Sequence, residues 1–223
     1  MSTDPHDVRM TLDLTWVESM GGPLIVVPLS ALQHWGGCTE DGMIIGDGDQ
    51  PDDYDRACKV EGLAEVIGLR GPGAACALVL GDEPATTCYL PEQRAFMRWV
   101  AADSDAELLA ATDAVLNDPA TPWEECGLWE TDGPAVLMDS AEAGKNLGMP
   151  YPDGRGEPDQ APVDLPAGRW KVRAFHKTGG SPCISVVQLL PEADCQSTTT
   201  PWPEHRALRE LGGTWQSAGR RLT

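Results

Sequence analysis

The chain has 223 residues, 41% hydrophobic and 23% charged. These are ordinary globular proportions, and a chain of this length buries about 70% of its unfolded surface, so it can hold its own core. Its 16 Lys and Arg against 35 Asp and Glu leave a formal charge of -19, which repels phosphate backbones and anionic lipid and argues against nucleic acid or a membrane as partner. No stretch approaches the roughly 20 apolar residues of a membrane span, and MSTDPHDVRM has neither the positive start nor the apolar run of a signal peptide. The expectation is a cytoplasmic protein.

The organisation expected is a polar leader over residues 1–11, one domain over 12–194 and a Thr/Pro-rich tail over 195–223 containing one short possible helix, EHRALREL. LDLTWVES and GPLIVVP read as two strands joined by a turn at Gly21 and Gly22, with the aliphatic run going into the core and Trp16 packing over it. Ser30 suits a helix cap before ALQHW, and Gly36 and Gly37 suit its stop. Residues 39–55, TEDGMIIGDGDQPDDYD, carry seven acidic side chains and no basic one, and read as a loop or a loop broken by a short strand.

GLAEVIGLR and ACALVLG, separated by GPGA, form one predicted hairpin, and TTCYL and AFMRWVA, separated by PEQR, form another. SDAELLAATDAVL is the clearest helix: Ser104 and Glu107 have capping-box spacing, and Leu108, Leu109, Ala111, Val115 and Leu116 share a broad stripe that ends before Pro119. GLWETD and PAVLMDSA are predicted strands, residues 141–162 an exposed loop, and VDLPAGRWKVRAFHK with CISVVQLLP a last strand pair. Sequential hairpins imply an α+β single domain, mainly an antiparallel sheet of short strands with one or two helices.

Motifs for chemistry are sparse. DGDQPDD begins like a calcium loop, but Pro51 and Asp52 break the pattern where a ligand and the tight-turn glycine belong. There is no GxSxG elbow, no phosphate-binding glycine loop with its lysine, and no metal-ligand spacing among His6, His34, His176 and His205. Seven cysteines, an odd number without a CxxC pair, read as reduced thiols serving mostly as small core hydrophobes. His34 with Glu18 or Asp55 could share a proton only if the fold joins them. No catalytic residue, cofactor or metal is therefore assigned. Of the eight tryptophans, most are expected to pack in the core or at its rim, with Trp35 and Trp123 the two expected to be exposed.

Read together, WVESMGGPLIVVP, ALQHWGG, DYDRACKVEG, ALVLGDEPATT, LPEQRAFMRWVAADSDAELLAA and VDLPAGRWKVRA resemble the immunity protein 21 family of bacterial polymorphic toxin systems, over roughly residues 14 to 191. The resemblance implies a cytoplasmic, non-enzymatic protein, encoded beside a secreted toxin, that binds and neutralises that toxin; it brings no catalytic residue with it. Toxins that attack nucleic acids tend to be basic, and an acidic binder would meet such a domain through complementary fields. The partner-binding residues expected are Glu40, Asp41, Asp47, Asp49, Asp52, Asp53 and Asp55 as a steering face, with Trp35 and Tyr54 as anchors. An acidic regulatory domain for a basic host protein and a carboxylate-based enzyme are the alternatives.

Overall fold

The computed structural model describes residues 14–38 and 51–192, apart from 72, 74 and 82. Eleven antiparallel strands among them form two sheets. The larger runs β1 (Trp16–Val17), β5 (Thr87–Leu90), β6 (Ala95–Ala101), β11 (Cys183–Pro191), β10 (Gly168–Lys177) and β7 (Glu124–Thr131), in that spatial order. The smaller runs β3 (Glu65–Gly68), β4 (Cys76–Val79), β2 (Leu24–Pro28), β8 (Ala135–Asp139) and β9 (Gln160–Val163). Both predicted hairpins are present, as β3 with β4 and β5 with β6, and the last predicted strand pair is β10 with β11.

Three apolar layers explain the sequence pattern. Leu24, Val26, Leu78, Phe96, Leu137, Trp170 and Val187 point between the sheets. Ile25, Val27, Val79, Val136 and Met138 point out of the smaller sheet, where Trp35, Ala57, Val60 and Leu147 cover them. Met97, Ile184 and Val186 point out of the larger sheet beneath the helix α2 (Asp105–Asn117). A strand covered on both faces has no reason to alternate, so β2 and β8 are buried at every position and read as unbroken apolar runs. Each Leu, Ile or Val enclosed this way contributes about 1.5 to 3 kcal/mol. At one flank β7 lies against β3 and β4, and the Trp129 Nε1 donates to the Cys76 carbonyl at 3.0 Å. At the other, β9 lies against β1 and β5.

The Ser104 side chain caps α2 by accepting from the Glu107 amide, while the Glu107 carboxylate reaches back one residue further, to the Asp103 amide. Leu108 is fully enclosed, and Leu109, Ala111, Val115 and Leu116 pack beside it, as the stripe requires.

Several local expectations change. ALQH falls in a 3-10 helix, Leu29–His34, that ends before Trp35 and that Ser30 does not cap; the Ser30 hydroxyl donates to Asp132 instead. Trp16 packs on Trp99, with ring centroids 5.6 Å apart, on the outer side of the larger sheet and not over the aliphatic run. The segment expected as loop up to residue 55 contains the start of a helix, α1 (Asp53–Cys58), for which Asp52 and Asp55 make a reciprocal capping box. A strand, β9, lies at the end of the predicted 141–162 loop; its Pro162 is tolerated because the strand is an edge of its sheet. In the larger sheet the edge strand β7 starts three residues before GLWETD. Gly127 adopts φ 98° there, and the pairing with β10 slips between Lys171 and Arg173.

Candidate partner-binding surface

Three segments distant in sequence meet at the carboxyl end of β8. The turn after β8 is knit to the end of the 3-10 helix: Trp35 Nε1 donates to the Ser140 carbonyl at 3.0 Å, the Cys38 amide to the Ala141 carbonyl at 2.8 Å, and the Gly144 amide to the Trp35 carbonyl at 3.0 Å. Gly37 has to be glycine, since its φ is 64° and a β-carbon would stand 2.4 Å from the Ala141 carbonyl oxygen. The third segment is the turn between β1 and β2, whose Met20 amide donates to Asp139. The second Asp139 oxygen accepts from the Ala141 amide at 2.7 Å, so this carboxylate, 3% exposed, anchors two turns at once.

The α1 helix docks alongside. The Tyr54 ring lies where a β-carbon on Gly22 would stand, 2.4 Å away, so Gly22 clears space for it. Burial raises the Tyr54 phenol to about 12, helped by the hydrogen bond it donates to Cys58 and by the charges of Cys58 and Asp139. Cys38 and Cys58 are both raised as well, first by burial, and the carboxylates Asp52 and Asp55 add to it in each case.

The structure gives each described acid of the expected face a task inside the fold. Asp52, 7% exposed, caps α1, and Asp55 completes the capping box. Asp53, 5% exposed, accepts from the Gly36 amide at 2.9 Å, pairs with Arg56 at 2.9 Å and lies 3.3 Å from Arg70. Arg56 and Arg70 also donate to the Gly68 and Pro51 carbonyls, so Asp53 ties α1 to the 3-10 helix and the β3–β4 hairpin. Trp35 is 1% exposed, which corrects the expectation that it lies at the surface; it closes the layer under the 3-10 helix. Trp123 is half-buried, with the Arg173 guanidinium 4.1 Å above its ring and Phe175 at its edge. Tyr54 is half-buried, and Glu40, Asp41, Asp47 and Asp49 lie outside the described residues. His34 lies against Gly71, and no hydrogen bond or ion pair joins it to Glu18 or Asp55.

Next to this corner is a depression of about 270 Å³ that the sequence did not single out. Glu18, Asp139, Glu142, Glu157 and Asp159 line it with Met20 and Tyr151, and Arg155 is its one basic residue. Tyr151 donates to Glu142 at 2.7 Å, and burial followed by that bond raises its phenol, holding it as a neutral donor. Arg155 is engaged by Asp153 at 2.6 Å and lies over the Tyr151 ring. Glu18, Glu157 and Asp159 are exposed and take no hydrogen bond or ion pair among the described residues. Among the described residues no group of three or more His, Cys, Asp or Glu is placed to hold a metal ion.

A family model described as immunity protein 21 matches residues 15–182, three quarters of the chain. The chain belongs to the immunity protein 21 family. The matched region contains the Asp139 corner, α1, α2 and the acidic depression of this immunity protein, and it stops one residue short of β11. No curated protein and no solved structure matches the chain. Among the described residues no helix is long and apolar enough to cross a membrane.

Proposed function

We propose that this immunity protein acts in the cytoplasm as an inhibitor, without catalysis of its own, by binding a cognate toxin whose docking domain is basic. The observation that carries the reading is the depression beside Asp139, where the exposed carboxylates Glu18, from the β1–β2 turn, and Glu157 and Asp159, from the loop before β9, converge on the half-buried Glu142 of the β8 turn. In a chain of formal charge -19 such a focus of negative potential favours a positively charged protein surface. Complementary fields of this kind raise association rates by about 10 to 1,000-fold. An interface of standard size takes about 20 to 30 residues from each side, so it would extend beyond the depression. The acids expected from the sequence, Glu40, Asp41, Asp47, Asp49, Asp52, Asp53 and Asp55, are proposed to add to the negative field that draws the toxin, with Tyr54 half-buried beside them, whereas Trp35 is sealed in the fold and makes no contact with it.

The test is growth of cells expressing the toxin domain encoded beside this chain, with and without the protein, followed by co-purification at about 50 and 500 mM salt. Rescue together with a complex that weakens at high salt supports the reading. Persistent toxicity with both proteins soluble and no complex at low salt overturns it for that toxin.

A further inference from the structure

Glu18, which lines the acidic depression, also lines a second, open groove of about 430 Å³. Its other walls are Trp16, Trp99, Thr86 and Asp105. The two indoles touch, centroids 5.6 Å apart and planes inclined at 60°, and both are half-buried, so each keeps surface for a visitor. Trp16 comes from the short edge strand β1 and Trp99 from β6, and the Trp99 amide donates to the Thr86 carbonyl at 2.8 Å, which fixes the groove floor on the sheet. Asp105 opens α2 and is exposed, as is Glu18. No Lys or Arg lines the groove.

An aromatic pair flanked by two exposed carboxylates suits one side chain above others. A guanidinium is planar, stacks on an indole and offers paired N–H groups to a carboxylate, whereas an ammonium is a strongly hydrated point charge that gains less from a flat apolar wall. The chain seats its own arginines in this manner, with Arg173 4.1 Å from the Trp123 ring centre and Arg94 5.4 Å from that of Trp170. Among the described residues no arginine is stacked on Trp16 or Trp99. We propose that the Trp16–Trp99 groove receives an arginine of the toxin's basic segment, stacked on the indoles and paired with Glu18 and Asp105, while the following residues of that segment cross Glu18 into the acidic depression. The assignment rests on the immunity reading, and it supplies what a field alone does not: a desolvated anchor of the Trp and Arg type that dominates binding hot spots.

The experiment measures binding of the purified toxin domain to the full-length protein by calorimetry and stopped flow. Three variants are compared with wild type: Glu18→Gln with Asp105→Asn, Trp16→Leu, and Trp99→Phe, the last keeping an aromatic ring should Trp16→Leu fail to fold. The expected result is a loss of affinity of tenfold or more in the carboxylate pair, with slower association and a shallower salt dependence, and a faster dissociation in the tryptophan variants. One toxin Arg→Lys substitution should reproduce the tryptophan effect and show no further loss when combined with it. Wild-type binding that every groove variant matches within twofold removes the groove and leaves the immunity reading standing. Failure of the wild-type protein itself to bind removes that reading and the occupant with it.

Discussion

Two acidic regions of this molecule lie side by side and use their carboxylates in opposite ways. In the α1 region the acids are dense in sequence, and the three at residues 52, 53 and 55 are taken up by the fold as caps, an amide acceptor and an ion-pair hub. In the depression and the tryptophan groove the acids come from separated segments, and Glu18, Asp105, Glu157 and Asp159 stay exposed. Sequence density is therefore a poor guide to where a protein presents charge. An acid that caps a helix is worth about 0.5 to 2 kcal/mol to stability, as Asp52 is to α1, whereas acids brought together from separated segments find no such task and stay solvated.

The largest effect that bears on this contrast is at Trp35. Trp35→Ala should destabilise the fold by about 3 to 5 kcal/mol, because it opens a cavity under the 3-10 helix and frees the Ser140 carbonyl, and denaturant unfolding would read it. Asp53→Ala should cost about 2 to 3 kcal/mol, less than a fully enclosed ion pair because Arg56 and Arg70 remain partly solvated, and the same measurement applies. Asp52→Ala, which removes one cap, should cost about 1 kcal/mol. If instead Asp53→Ala left stability unchanged and slowed toxin association tenfold, the division between the two regions would be reversed.

Alkaline titration sharpens the same picture. The fold raises Cys88, Tyr54 and Tyr89 to about 12, chiefly by burial, from ordinary values of 9.0 for the thiol and 10.0 for the phenols, and Tyr151 is raised also. Each group is held neutral by the folded state, so its contribution is complete below pH 9 to 10 and is lost as pH climbs toward 12. The unfolding midpoint should be flat from pH 7 to about 8 and fall above it, first through the thiols and then through the phenols. Phenolate absorbance should be absent from the native protein at pH 10.5, a simple check because the chain has only three tyrosines. The smallest expected effect is Glu157→Gln with Asp159→Asn: stability within about 0.5 kcal/mol of wild type, since both side chains are exposed, while association with the toxin slows and loses salt sensitivity.

Much of the fold was legible because it rests on local signals. The hairpins announced themselves through glycine-rich or polar turns between apolar runs, and α2 through Ser104 and its stripe. What escaped needed distant partners. The strand QAPV carries a proline and little alternation, and it becomes a strand only because β8 offers an open edge. Trp35, at the end of a predicted helix that two glycines stop, read as exposed, yet the glycines let the chain fold back against residues 140–144 and seal the indole beneath. The depression had no linear signature, since Glu18, Asp139 and Asp159 are brought together by the closure of the sheets. Its one trace in the sequence was a Gly, Pro and Asp-rich stretch that read simply as an exposed loop.

The irregular edge strand β7 bears on how copies of this chain meet one another. A free edge invites another chain to add itself by main-chain pairing, a route open to aggregation and to partners alike. Here that margin carries the exposed carboxylates Glu124, Glu125 and Glu130, is kinked at Gly127, and leans on β3 and β4. A strand from another copy of this acidic chain would meet like charge and a broken ladder there, so this margin disfavours edge-to-edge pairing between crowded copies.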